Sequence, residues 1–389
     1  MSRLLLAVNA GSSSLKLAVF DIASEQSQAL LRGRLETRAN PRRLDMIAAD
    51  GTQLAGPEFR LGRRTGGRSL AGALAWIEAR LGAPIAAVAH RIVHGGDLAR
   101  AAVATDATVR AAEEVAAFAP LHQTAGLAAV YAIRRERPDT PQVLVFDTLF
   151  HRGHDPVVDR LGLPRTWEER GLRRYGFHGL SYEHLTARLR ELDPSAASGR
   201  VVAAHLGSGA SLCALLDGRS VDTTMGATPL DGLVMGTRCG SLDPGAVLLL
   251  QQMGNLTPAA ATDLLYRRAG LLGVSGLSGD MRTLLSSPDP RARAAIDLFV
   301  FRIARETAAL AATLGGLDAI VFTGGIGENA PQVRAAVCER LAWLGVRLDA
   351  ARNGRGDARV SAPGSRVAVW TIPADEERVI ARHAREVLG

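Results

Sequence analysis

Apolar runs broken by small polar turns divide the chain into alternating strands and helices, and one such arrangement occurs twice. Residues 4–21 run from Leu-Leu-Leu-Ala-Val into the turn Asn9-Ala-Gly-Ser-Ser-Ser14, and a second apolar stretch leaves it to end on Asp21. A shift of 196 residues returns the pattern at 201–217, where Asn9 falls on His205, Gly11 on Gly207, Ser12 on Ser208 and Asp21 on Asp217. Each copy reads as a β-hairpin. Small side chains let backbone N–H groups converge on an anion, and serine hydroxyls add donors. One copy alone would read as an ordinary tight hairpin. Two copies about half a chain apart predict a duplicated fold, with two facing domains that each bring a phosphate-contacting hairpin to a shared cleft.

Beyond the first hairpin, strands are expected at 28–36 and 52–61, a loop at 63–68 and a helix at 70–81, stopped by Gly82-Ala83-Pro84. A buried-type strand at 85–89, helices at 107–118 and 125–136, and a strand at 143–146 complete the first half. The second half repeats that order, with the hairpin, a strand and loop to Gly240, and helices at 244–253, 258–268 and 291–314. A strand at 319–323 then meets Gly324-Gly-Ile-Gly-Glu-Asn329, followed by a helix from Pro331, a strand at 366–372 and a helix at 376–387. The stretch 150–199, rich in Gly, Pro, Arg and His, reads as connector and cleft wall. These elements predict an α/β protein whose domains comprise 1–149 plus 376–389, and 150–375.

Length changes little in this picture: 389 residues exceed one ordinary core. No run approaches the ~18 apolar residues of a membrane span, and residues 4–8 lead straight into the turn, so they read as structure rather than leader. Three widely spaced cysteines make neither a disulfide framework nor a zinc site, which suits a reducing cytoplasm. The net charge of +7 is spread along the chain and aromatics are only 4%, so a nucleic-acid partner is not expected. Charge does sharpen one point. Lys16, in the first hairpin, is the only lysine among 46 basic residues, which hints at a compact ammonium beside a phosphate-type turn.

Several polar groups fall at strand ends, where α/β folds carry their sites. Arg91 and Arg238 each lie in a Gly-rich loop, one per half. Either alone would read as structural, but the pair suits planar forks gripping carboxylate and phosphoryl oxygens. His178 is flanked by an aromatic and glycines. Asp147 and Glu376 are isolated carboxylates that together could hold Mg²⁺ near phosphates. The 323–329 turn is a third phosphate or nucleotide loop. A Walker-type motif and the protein-kinase motif set are absent.

Taken in order, the segments Asn9-Ala-Gly-Ser-Ser-Ser-Leu-Lys16, His90-Arg-Ile-Val-His-Gly-Gly96, Pro120-Leu-His122 and Arg173-Arg-Tyr-Gly-Phe-His-Gly179 closely resemble acetate kinases. So do His205-Leu-Gly207, Met235-Gly-Thr-Arg238, Phe322-Thr-Gly-Gly-Ile-Gly-Glu-Asn329 and Ile372-Pro373 with Glu376-Glu377. The resemblance implies two duplicated ribonuclease-H-like domains of the actin/Hsp70 type, an interdomain catalytic cleft, a homodimer and no membrane partner. It implies reversible transfer of a phosphoryl group from ATP to acetate, giving acetyl phosphate and ADP, with Mg²⁺ required and Mn²⁺ an alternative. Arg91 and Arg238 would hold acetate and neutralise the moving group, with His178 on its oxygens and His122 and His205 in support. Asn9, Asp147 and Glu376 would serve phosphate and metal. Val93, Leu121, Phe177 and Pro229 would surround the acetate methyl. Lys16, His205, Leu206, Gly207, Ser208, Gly209, Asp280, Met281, Arg282, Gly324, Gly325, Ile326, Gly327 and Asn329 would border the nucleotide.

The chain departs from the family pattern at four places: Gln123-Thr-Ala-Gly126 after His122, Ser208 between two glycines, Ala227 before Thr228-Pro229, and Ser241 after Gly240. A propionate or other short-chain carboxylate kinase fits the same residues, because one methylene discriminates by only ~1–3 kcal/mol. A non-metabolic ATPase module of the Hsp70/actin type is the reading from another class, and it has no use for a carboxylate grip.

Overall fold

Leu4–Ala10 (β1) and Ser14–Asp21 (β2) pair antiparallel from Leu4 against Asp21 to Ala10 against Leu15, forming the first expected hairpin. The structure is a computed structural model that describes residues 3–11, 14–24, 28–36, 42–59 and 68–389. Ser12 and Ser13 of the first turn, most of the 63–68 loop and the end of the 52–61 strand lie outside the described residues. The chain divides into two compact units, Met1–Leu149 with Asp375–Gly389, and Phe150–Ala374.

In the first unit, Leu31–Glu36 (β3), Arg42–Ala48 (β4) and Gln53–Phe59 (β5) extend the hairpin outward as an antiparallel meander. Ile85–Ile92 (β6) pairs parallel to β1, and Gln142–Phe146 (β8) pairs parallel to β6, with the two-residue strand Ala102–Val103 (β7) at the far edge. The order is β5-β4-β3-β2-β1-β6-β8-β7. β1 is buried along its whole length, which explains its unbroken apolar run. Its alternation sends Leu4, Leu6 and Val8 into a core with the Arg68–Leu81 helix, and Asn9 to the opposite face. The Glu376–Leu388 helix packs against β1, β6 and β8 and buries Val379, Ile380, Ala381 and Ala384.

In the second unit, Arg200–Leu206 (β9), Ala210–Leu216 (β10) and Arg219–Thr223 (β11) form a meander, and Ala319–Thr323 (β12) and Ala368–Thr371 (β13) add parallel strands. The order β11-β10-β9-β12-β13 repeats β3-β2-β1-β6-β8 of the first unit strand for strand. That shared arrangement is the ribonuclease-H-like pattern.

Four expectations change. The strand β4 was not anticipated, because only Leu44 and Met46 point inward between charged or exposed neighbours. The 150–199 stretch is not merely connector: Gly179–Leu192 is a helix whose Tyr182, Leu185 and Leu189 enter the core beside β9. Their i, i+3, i+7 spacing was obscured by the Gly-, Arg- and His-rich run before it. The 258–268 helix changes at Leu264 to a π-helical turn, Leu264–Arg268. Finally, 324–329 is itself a short helix, entered through Gly324 at φ +79°. Among the described residues no helix is long and apolar enough to cross a membrane, and no disulfide joins Cys213, Cys239 or Cys338.

Candidate active site

Three strand ends and one helix start bring Asn9, Arg91, Asp147, Glu376 and Glu377 together in the first unit. Arg91, near the end of β6, turns its planar edge to Asp147, just past neighbouring β8. Its Nε donates to Oδ1 at 2.7 Å and its Nη2 to Oδ2 at 2.5 Å. Arg91 Nη1 donates to Asn9 Oδ1 at 3.0 Å and lies 3.4 Å from Glu376 Oε2. Asn9 Nδ2 donates to Glu376 Oε2 at 2.7 Å and to Glu377 Oε1 at 2.9 Å. Burial by itself would lower the Arg91 pKa, but Asp147, Glu376 and Glu377 outweigh it and hold it above the ordinary arginine value. Burial and the charge of Glu376 raise the pKa of Glu377, with Lys16 and Asn9 opposing.

Two consequences follow for the expected roles. A guanidinium has five N–H donors, and three of those on Arg91 are engaged within the protein, so its bidentate edge faces Asp147 rather than an incoming carboxylate. Asn9 presents its amide nitrogen to the carboxylates and its oxygen to Arg91, so it orients Glu376 rather than offering an open ligand oxygen. Lys16 is exposed on β2 and lines a cavity of about 710 Å³ with Arg32, Arg34, Arg43, Asp45 and the cluster's Glu377.

In the second unit the sheet and the Gly179–Leu192 helix converge on His178. This residue precedes the helix with left-handed backbone angles, φ 59° and ψ 22°, an uncommon state for a side-chain-bearing residue. Its Nδ1 is 2.8 Å from Ser211 Oγ, which is also 2.6 Å from Tyr182 Oη. The His178 and His205 rings stack with centroids 4.2 Å apart, and His205 Nδ1 is 2.8 Å from Ser181 Oγ. Arg238, almost fully buried, donates from Nη1 to the Pro229 carbonyl at 2.7 Å. A Cβ placed on Gly209 would lie 2.6 Å from Arg238 Nη2 and 3.2 Å from His178 Nε2, so the hairpin turn, the arginine and the histidine meet in close contact at this glycine.

A cavity of about 750 Å³ opens beside that turn. Gly207, Ser208, Asp280, Met281, Arg282, Gly325, Ile326 and Asn329 line it, as do Gly236, Thr237, Gly279, Leu285 and Ala330. The same turn is pinned to the far wall, with Gly236 N–H donating to the Ser208 carbonyl at 3.1 Å. His205, Leu206, Gly209, Gly324 and Gly327 do not line it, and Leu206 is a core side chain. Thr237 and Gly279 were missed although Thr237 adjoins Arg238; their only signal was membership of small-residue loops. Ser181, Tyr182 and Ser211 were missed because polar residues inside apolar runs give no sign of the histidines they touch.

Of the four expected methyl-pocket residues, Val93 and half-buried Leu121 belong to the first unit, and buried Phe177 and Pro229 to the second. His122 immediately precedes the Gln123–Glu136 helix. The departure at Gln123 has a structural role. Its side chain, fully buried, accepts from His94 N–H at 2.9 Å and donates to the His94 and Ala112 carbonyls at 2.8 Å. Gly126 lets the helix lie against Arg91, since a Cβ there would be 3.1 Å from the Arg91 carbonyl oxygen. Ser241 Oγ donates to Asp231 at 2.7 Å and accepts from Gly232 N–H at 3.1 Å, which ties a turn. Nothing in the structure explains Ala227.

Residues 4–382 match the sequence pattern of the acetokinase family. An acetate kinase of Rhodopseudomonas palustris is 48% identical over 392 residues, covering 98% of each chain. The crystal structure of Porphyromonas gingivalis acetate kinase is similar with a TM-score of 0.86 at 33% identity, over all of both chains. A propionate kinase from Francisella tularensis gives 0.90 at 31% identity, covering 99% of this chain and 100% of its own. This chain belongs to the acetokinase family.

Proposed function

We propose that the protein is an acetate kinase, transferring the γ-phosphoryl group of ATP reversibly to acetate to give acetyl phosphate and ADP. The observation that carries this reading is the grouping of Arg238 and His178 at the Gly207–Gly209 turn, on the rim of a cavity of nucleotide size. Acetate is ionised at neutral pH and needs no general base, so alignment and charge neutralisation supply the catalysis. Tyr182 is held protonated, chiefly by burial, so its hydroxyl can donate to Ser211 and Ser211 to His178 Nδ1. Nε2–H of His178 then becomes the donor toward phosphoryl oxygens, beside the Arg238 fork. Arg91, clamped by Asp147, offers the remaining hydrogens of its two Nη atoms to the acetate carboxylate.

A hard divalent cation fits the first-unit cluster. Glu376, buried, and Glu377, half-buried, are adjacent carboxylates whose mutual repulsion a cation would relieve. Glu376, oriented by Asn9, would hold Mg²⁺ or Mn²⁺, which when bound neutralises phosphate charge. The protein acts in the cytoplasm on this reading, consistent with its three free thiols. It acts as a homodimer, for which the Pro244–Met253 helix supplies a face: it buries no residue of its own and exposes Leu248, Leu249 and Met253.

Acyl-hydroxamate formation with ATP, Mg²⁺ and a panel of short acids tests the activity. Acetate should give the highest kcat/KM. Preference for propionate would shift the reading to the runner-up, and no product with any acid would end it. Glu376→Ala should nearly abolish turnover in a folded protein, with part of it regained at high Mg²⁺.

A further inference from the structure

A buried chain of hydrogen bonds runs behind His178. His151 Nε2 lies 2.9 Å from the Phe177 carbonyl oxygen, and His151 Nδ1 lies 2.8 Å from Ser220 Oγ. Ser220 Oγ is also 2.8 Å from His154 Nε2, and His154 Nδ1 is 3.0 Å from Asp159 Oδ1 at the surface end. All of these residues lie in the second unit. We infer that Asp159, His154, Ser220 and His151 form a positioning relay that holds the Phe177–His178 peptide, and with it His178, in the orientation used for phosphoryl transfer. The inference rests on the role proposed above for His178.

The direction of the chain follows from its inner end. A carbonyl can only accept, so His151 Nε2 carries the proton and Nδ1 must accept. Ser220 therefore gives its single proton to His151. His154 Nε2 must then donate to Ser220 Oγ, and the hydrogen bond between His154 Nδ1 and Asp159 Oδ1 closes the outer end. The Cys213 thiol, kept protonated mainly by burial, lies 3.2 Å from Ser220 Oγ and can fill its other lone pair. Every donor thus points toward a partner, and none opposes another. Burial, with His154 and Arg174 adding repulsion, lowers the His151 pKa to about 3, so the ring stays neutral as the chain requires. The Tyr182 ring packs edge-on to His151 at 5.7 Å.

The inner end matters because a peptide is planar. The Phe177 oxygen and the His178 nitrogen share one plane, so fixing the oxygen fixes the plane from which the φ of His178 is measured. That angle is left-handed, a state a residue with a side chain keeps only when its surroundings impose it. Gly176 closes the other side. A Cβ there would be 2.6 Å from the His151 ring and 2.7 Å from Thr223 Cγ2.

Two measurements test the relay. Ring ¹⁵N resonances of histidine-labelled protein report tautomers without any turnover, and so remain informative if the proposed activity fails. His151 should be neutral with its proton on Nε2, and Ser220→Ala should shift the His178 ring signals. A proton on Nδ1 of His151, or an unmoved His178, overturns the inference. In kinetics, Ser220→Ala should lower kcat by about tenfold with the ATP KM within about twofold, as expected for a small misplacement. Ser220→Thr, which keeps the hydroxyl, should restore kcat. Full activity in Ser220→Ala, or equal loss in both variants, would reduce Ser220 to a packing residue. Asp159→Asn alters the surface end, including the Arg173 Nη1 contact at 3.7 Å, and should fold normally; it should lower kcat and shift the His178 ring signals in the same direction as Ser220→Ala, and an unchanged kcat overturns the relay.

Discussion

Arg91 turns its planar edge inward, and that changes what its removal means. Asp147 is buried with a side-chain exposure of 1%, so Arg91→Ala would leave a carboxylate without its fork partner. Breaking such a pair typically costs ~3–5 kcal/mol. We expect Arg91→Ala to lower the urea midpoint and to raise the acetate KM far more than the ATP KM. Adding Asp147→Asn should recover the midpoint but not the acetate KM; recovery of both would make Arg91 purely structural. Arg238 differs, since its Nη1 donates to the Pro229 carbonyl. A lysine there keeps the charge and loses the fork, so Arg238→Lys should cut kcat by ~10²–10³ with little change in stability. A rate near wild type would remove Arg238 from the chemistry. The arginines were visible in the sequence from their Gly-rich settings. Their partners were not, because Asp147 meets Arg91 only once β6 and β8 pair side by side.

Whole elements were legible where a turn or a long period marked them. The two hairpins and β12 carry Gly-rich or Ser-rich punctuation, and the Pro290–Thr313 helix has many turns over which its apolar face repeats. The Gly179–Leu192 helix and β4 lacked such signals. The Gln123–Glu136 helix shows why a family departure need not weaken a site. Gln123 satisfies both backbone groups of His94, just past β6, and the carbonyl of Ala112 on the Asp106–Glu114 helix, so the segment bearing Val93 is held by a side chain rather than by a turn motif. Gln123→Ala should destabilise the protein by ~2–4 kcal/mol in urea unfolding, because it leaves those groups unpaired. A loss within ~0.5 kcal/mol would mean that water replaces the amide without penalty.

Over the whole molecule, acid stability is set partly by one buried histidine in each unit. His90 donates from Nε2 to Gln142 and has its pKa lowered to about 4, mainly by burial; His151 is lowered to about 3. Both fall below the ordinary histidine value of 6.5. Under acid conditions the unfolded chain binds protons that the folded one refuses. Stability should therefore fall as pH drops from about 6.5 toward 4 and rise in the reverse direction. Thermal unfolding midpoints across that range check this, with His90→Gln expected to flatten the slope; a wild-type profile already flat would mean that both rings are solvated.

The Asp375–Gly389 segment belongs to the first unit although the entire second unit precedes it in sequence. During synthesis, residues 3–149 leave the ribosome with one face of β1, β6 and β8 still lacking the helix that covers it. The second unit is continuous in sequence and can fold before that helix exists, so the half encoded first is the half completed last. Until then an apolar sheet face is open to chaperones and to self-association. Glu376 arrives with the covering helix, so the candidate metal ligand is absent from every nascent chain that has not closed its first unit. Translation order alone thus keeps an incompletely folded chain from carrying a finished site.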